Sequence, residues 1–184
     1  MARTLLALVM GCLLAAAASK AAAFEIDEQT GQIVIKTLAG FDKCVLDLSE
    51  IPACLEALRM HADKRPNDAF QAGKRALLHY PAWTALPFFE IAFRKRATDA
   101  QCEDEDVLRA VTEGLSRPSS DTASIEIARG IAANTCWDGL QDGLVEAAGK
   151  GNASFKANAC RLFAKRGLTV AACEARGKDA PASP

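Results

Sequence analysis

Along most of this chain apolar side chains recur every three or four residues, the spacing that lines one face of an α-helix. The pattern is clearest between positions 102 and 173. Val107, Val111 and Leu115 stand four apart with Leu108 beside them. Asp104 is placed to cap that helix, and Arg117-Pro118 to stop it. Ser120 or Asp121 caps a second helix, whose stripe is Ile127, Ala128, Ile131 and Ala132. A third opens at Thr135-Cys-Trp-Asp138, which has the spacing of a capping box. It runs through Leu140, Leu144, Ala147 and Ala148 to Gly149 or Gly151. The fourth has Asn152 as cap, Phe155, Ala159, Leu162 and Phe163 as stripe, and Gly167 as terminator.

Upstream the same period predicts helices over 50–64 and 68–79. The first is capped by Ser49 and turns Ile51, Leu55, Leu58 and Ala62 inward; Pro66 ends it. The second is capped by Asn67 and anchored by Phe70, Leu77 and Tyr80, with Gly73 in its middle either weakening the helix or marking close packing. In Pro81-Ala-Trp-Thr-Ala-Leu-Pro-Phe88, Thr84 is the expected cap, Pro87 sits in the first turn, and Trp83 and Phe88 form a hydrophobic staple. The next helix carries Phe88, Phe89, Ile91, Ala92 and Phe93, so it is expected to be the most buried one. A short helix over 169–175 is tied by Cys173. Only 24–37 departs from this period. Its alternation at 32–36 and a turn at 28–31 predict a small β-hairpin or a lone strand, and a hairpin is marginal unless it packs on something else.

Shifting the chain by 32 positions brings Asp106 onto Asp138, Leu108 onto Leu140, Arg129 onto Arg161, Ile131 onto Phe163 and Ala132 onto Ala164. Glu90-Ile91-Ala92 recurs 36 positions on as Glu126-Ile127-Ala128. Over residues 66–167 the chain therefore resembles HEAT-like α-hairpin repeats. The resemblance implies an all-α fold of stacked antiparallel helical hairpins, either a short α-solenoid or an irregular bundle. The expected organisation is a signal peptide at 1–23, a β-hairpin and loop at 24–46, the helical-hairpin domain at 47–176 and a disordered tail at 177–184.

The first of these segments changes the picture most. Arg3 precedes an apolar run at 5–18 that is too short to span a bilayer, and Ala21-Ala22-Ala23 offers a small-x-small cleavage site. These features predict export to the periplasm or beyond. Val9-Met10-Gly11-Cys12 is only a weak lipidation motif, with apolar chain following the cysteine. Removing Arg3 and Lys20 lowers the 22 basic residues to 20 against 23 acidic ones, a formal charge of −3. That balance gives no reason to expect nucleic acid.

Past Cys12 there are six cysteines, an even number, which in an exported chain reads as disulfides. There is no Cys-x-x-Cys and neither histidine lies near a cysteine, so no metal or cofactor is expected. Fifteen pairings are possible. Neighbours in sequence are the expected partners: Cys44–Cys54, Cys102–Cys136 and Cys160–Cys173. Cys102 and Cys136 each precede the first helix of consecutive hairpins, so stacking would set them side by side.

No catalytic residue is expected. His61 and His79 suit helix C-termini, and Glu103-Asp104-Glu105-Asp106 suits a helix start while lacking the spacing of a calcium loop. Lys74, Arg75, Arg94, Lys95 and Arg96 are candidates for a basic patch facing an acidic partner. Trp137 is the candidate interface anchor, or else packs over the neighbouring disulfide. The resulting expectation is a protein-binding module that occludes its partner's surface, such as an inhibitor or immunity protein against a toxin or hydrolase. An assembly factor of an envelope complex is the alternative, and a hydrolase using a carboxylate pair is a third.

Overall fold

The computed structural model describes residues 24–27, 32–35, 51–62 and 65–174. The signal peptide, Cys12, Cys44, the 28–31 turn and the 177–184 tail lie outside the described residues. Two short segments, β1 (Phe24–Asp27) and β2 (Gln32–Ile35), run antiparallel with Phe24 opposite Ile35 and Asp27 opposite Gln32. The fold class is set by the rest of the chain, which is mostly helix.

Among the described residues nine α-helices succeed one another: α1 (Ile51–His61), α2 (Pro66–Ala76), α3 (Leu86–Ala92), α4 (Asp99–Cys102), α5 (Glu105–Leu115), α6 (Thr122–Gly130), α7 (Trp137–Lys150), α8 (Ala153–Lys165) and α9 (Ala171–Glu174). A 3₁₀ turn, Ala82–Ala85, leads into α3, and a π-helical turn, Ile131–Thr135, prolongs α6. Short-range chemistry sets most of the boundaries. Asp104 accepts from the Asp106 amide at 2.9 Å, Asp121 from Ser124 at 3.3 Å and Asn152 from Phe155 at 2.7 Å, each satisfying an orphan N–H of the helix it opens. Gly167, with φ at +70°, closes the turn after α8.

Four local expectations are corrected. Pro66 opens α2, where its fixed φ and missing N–H fit the first helical position, so Asn67 lies inside the first turn. α2 ends at Ala76, and Leu77–His79 form a turn. Thr84 does not cap α3; its hydroxyl donates to the Pro81 carbonyl at 2.7 Å inside the 3₁₀ turn. Thr135 does not cap α7 either, because it belongs to the preceding π-helical turn, and Cys136 takes the cap position without a side-chain bond. One element was not anticipated: α4, opened by a full capping box in which Thr98 and Gln101 bond each other's backbone N–H.

Within the body α2 packs on α3, α5 on α6, and α7 on α8. Between these pairs α3 meets α5 and α6, α5 meets α7 and α8, and α4 bridges α5 and α7. Contacts thus pass along the chain from pair to pair. The core is one continuous cluster from Cys54 to Val170. As its composition predicts, α3 is deeply buried, with Leu86, Phe88, Phe89, Ile91 and Ala92 all inside. Phe70, Phe89 and Phe93 form an aromatic triangle with centroids 5.5 to 6.1 Å apart. Gly73 admits it: a Cβ there would stand 2.7 Å from the Phe89 ring.

Cys102 is bonded to Cys136 across 4.9 Å between Cα atoms, and Cys160 to Cys173 across 5.6 Å. Gly139 allows the first bridge its close quarters, since a Cβ would lie 2.9 Å from the Cys102 carbonyl carbon. Cys54 is also disulfide-bonded, and its expected pairing with Cys44 lies outside the described residues.

Candidate binding clefts around a π-helical turn

The residues singled out in the sequence do not form one patch. Lys74 reaches across to α5, where its ammonium sits 2.8 Å from Asp104 and 3.3 Å from Asp106. The hydrogen bond to Asp104 raises the Lys74 pKa above its ordinary value. The Lys74 charge is therefore balanced by carboxylates: within the acidic run Asp104 caps α5, and Asp104 and Asp106 face the ammonium. Arg75 is half-buried with a partner of its own. Arg94, Lys95 and Arg96 are exposed beyond α3. Trp137 is half-buried, edge-on to Phe163 at 6.3 Å, and the Arg166 guanidinium covers its ring at 5.1 Å. His79 is exposed in the turn after α2, and the side chain of His61 lies outside the described residues. Among the described residues no group of three or more His, Cys, Asp or Glu side chains is arranged to hold a metal ion.

The clefts of interest lie elsewhere and converge on Ile131–Thr135. Five residues follow an i→i+5 pattern there, closed by the Cys136 N–H on the Ile131 carbonyl at 2.9 Å. Single π-helical turns are rare and concentrate at functional sites. Here the wider turn ends directly at the Cys102–Cys136 bridge. Ile131, Ala132 and Ala133 face the core, whereas Asn134 and Thr135 are exposed.

On one side of the turn is a cleft of about 390 Å³. Its apolar wall is Ile91, Phe93, Ile127 and Ile131, and its polar rim is Arg59, Glu90, Arg94, Asn134 and Thr135. Three segments far apart in sequence supply these groups: α1, the end of α3, and α6 with its π-helical extension. Arg59 is drawn weakly toward Glu56 at 3.5 Å. Arg94 makes no ion pair with any described residue, although Glu90 lies one turn before it.

On the other side is a smaller cleft of about 260 Å³, lined by Glu126, Arg129, Ala133, Asn134, Arg161, Leu162 and Lys165. Arg129 is fixed in place. Its Nη1 donates to Glu126 at 2.7 Å and its Nη2 to the Asn158 side-chain oxygen at 2.7 Å. Buried Asn158 in turn donates to the Leu115 carbonyl at 2.9 Å, which ties α5, α6 and α8 together. Asn134 lines both clefts.

Of this constellation the sequence reading reached Arg94 but missed Arg59, Asn134, Lys165 and the role of Arg129 and Arg161. A signal existed for the last two, which fall on the same position when the chain is shifted by 32. The chain matches no protein-family model, and neither curated proteins nor solved structures give a significant match. Function is therefore argued from these clefts alone.

Proposed function

We propose that this chain is an exported protein-binding module that acts by occluding its partner's surface, most concretely as an inhibitor or immunity protein against a toxin or hydrolase. The helical pairs would form a short α-solenoid, with the strand pair of 24–35 ahead of it, working in the periplasm after loss of 1–23. Stacked helical units offer broad concave faces built from successive layers, which suit protein ligands. One observation carries the reading. The larger cleft joins three sequence-distant segments into an apolar wall ringed by hydrogen-bonding groups, and one of its two rim cations, Arg94, makes no ion pair with any described residue. An apolar centre with a polar rim and arginine anchors is the usual make-up of a recognition surface. Disulfides fit an oxidising compartment, and no helix among the described residues is long and apolar enough to cross a membrane.

The test is capture from a periplasmic extract by the mature chain, run beside an Arg59→Glu/Arg94→Glu variant. One protein retained by the wild type and lost by the variant, and whose own activity falls when the wild type is added, supports the reading. A set of captured proteins unchanged by the variant, or a captured enzyme that stays fully active in the complex, overturns it.

A further inference from the structure

The smaller cleft carries a separate inference, independent of the protein-binding reading. Its wall bears three cations, Arg129, Arg161 and Lys165, against one carboxylate, Glu126. Glu126 is already bonded to Arg129 and is largely exposed, with 68% of its side-chain surface in solvent. Arg161 and Lys165 stand one turn apart on α8, a spacing at which like charges repel. Neither has a counter-ion among the described residues. A helix C-terminus explains a cation at Lys165 through the dipole, but it does not explain Arg161, which sits a full turn earlier.

Arg129 adds preorganisation. Its guanidinium is held by Glu126 and by an asparagine whose own orientation is fixed by the Leu115 carbonyl. Its Nε is buried with no acceptor, and it is the only such side-chain atom among the described residues. An atom so shielded is out of reach of a ligand in the cleft, so Arg129 would act there through its charge and its outer Nη hydrogens. The cleft volume of about 260 Å³ is several times the roughly 30 Å³ that a water molecule occupies in the liquid, so a small anion with its hydration fits. Guanidinium groups recognise planar or tetrahedral oxyanions through paired N–H donors.

We infer that the cleft between the π-helical turn and α8 binds an oxyanion, a phosphate- or carboxylate-bearing small molecule, held by Arg129, Arg161 and Lys165. The experiment is an amide chemical-shift titration of the mature chain with inorganic phosphate in one arm and succinate in the other, at constant ionic strength maintained with chloride. Saturable shifts at Asn134, Arg161 and Leu162 are expected in at least one arm. Saturation by phosphate alone assigns a phosphate-bearing ligand, and saturation by succinate alone assigns a dicarboxylate. The Arg161→Glu/Lys165→Glu variant replaces two exposed side chains, so it should still fold, with a melting temperature lowered only slightly by an anion at the helix C-terminus. Its affinity should fall by about tenfold or more, the loss of at least one charge-assisted contact. Shifts that stay linear in both arms, or saturable shifts undiminished in that variant, overturn the site.

Discussion

Two helical pairs, α5 with α6 and α7 with α8, share a few residue types at a shift of 32 and are held in different ways. α5 is packed on several sides. Val107, Ala110, Val111 and Leu115 have no exposed surface, and the helix meets α3, α6, α7, α8 and the 3₁₀ turn. α7 buries only Leu140, Leu144 and Ala148. The α7–α8 pair lies toward the end of the succession, and both disulfides with described partners touch it: Cys136 opens α7, and Cys160 on α8 reaches Cys173 on α9. A helix packed on several sides is held by its neighbours, whereas one packed on fewer sides gains less from them, and covalent bonds supply part of the difference.

The sharpest way to break this comparison is in α5. Leu115→Ala opens a cavity where α5 meets its neighbours and should lower the urea-unfolding free energy by about 2–5 kcal/mol. A loss under about 1 kcal/mol would mean that the inner pair is not the centre of the core.

Next comes the bridge. Cys102→Ser/Cys136→Ser removes a crosslink between residues 34 apart and should cost about 3–4 kcal/mol in the chain-entropy model. Hydrogen exchange should locate much of that loss in Ile131–Thr135 and α7, because Cys136 ends the one and begins the other. Exchange rates there equal to those of the wild type would separate the bridge from the π-helical turn. A peptide map of unreduced protein should join the fragments that hold Cys102 and Cys136.

A third substitution probes the join between the two pairs. Asn158→Ala leaves both the Leu115 carbonyl and the Arg129 Nη2 without their partner. Buried groups orphaned in this way cost about 1–3 kcal/mol. Asn158→Asp keeps the acceptor for Arg129 while losing the donor to Leu115, so it should recover part of the stability if the Arg129 contact dominates. Equal losses in the two variants would assign the effect to the carbonyl.

Most helices and three of their caps were legible because they depend on neighbours three or four residues away. Asp104, Asp121 and Asn152 needed nothing beyond that distance to be read. The cysteine pairs 102–136 and 160–173 were legible because an even count and the order of the helices constrain one another. Register was not. The matches at a shift of 32 average two different spacings of buried positions. Val107, Val111 and Leu115 correspond in burial to Leu140, Leu144 and Ala148, a step of 33. Ala128, Ile131 and Ala132 correspond to Ala159, Leu162 and Phe163, a step of 31. Six residues connect α5 to α6 and two connect α7 to α8, and the longer C-terminal end of α7 offsets two of those four, which leaves the difference of two. The π-helical turn and the clefts were illegible for a related reason. The π-helical turn ends at the Cys102 bridge, one cleft joins it to α1 and α3 and the other joins it to α8, and no local window contains those elements together. Lys74 shows the opposite failure. It read as an exposed charge because Asp104, its counter-ion, lies 30 residues away.

The smallest expected effect separates the two duties of Asp121, which joins the end of α5 to the start of α6. Its carboxylate accepts from the Ser124 amide as the helix cap and takes a hydrogen bond from Arg117 Nε at 2.7 Å. Arg117 is itself placed, with its guanidinium 4.3 Å from the centre of the Trp83 ring. The bond from Arg117 is the main reason that the Asp121 pKa lies below its ordinary value. A carboxyl whose pKa is lowered by folding contributes stability that is fully present above its unfolded value, about 4, and is lost as the pH falls through the folded value below that. The pair is a third or less exposed on each side, so the contribution should remain under about 1 kcal/mol. Asp121→Asn retains an oxygen for the cap and loses the charge. It should unfold only slightly more easily than the wild type at neutral pH, and the gap should close as the pH drops below about 4. Asp121→Ala loses the cap as well, so a deficit of about 1 kcal/mol should persist on the acid side. Urea midpoints for the three proteins across that range decide the matter. A gap between Asn and wild type that is independent of pH would show that the ion pair with Arg117 adds nothing to the join, and that only the cap holds α6 in place against α5.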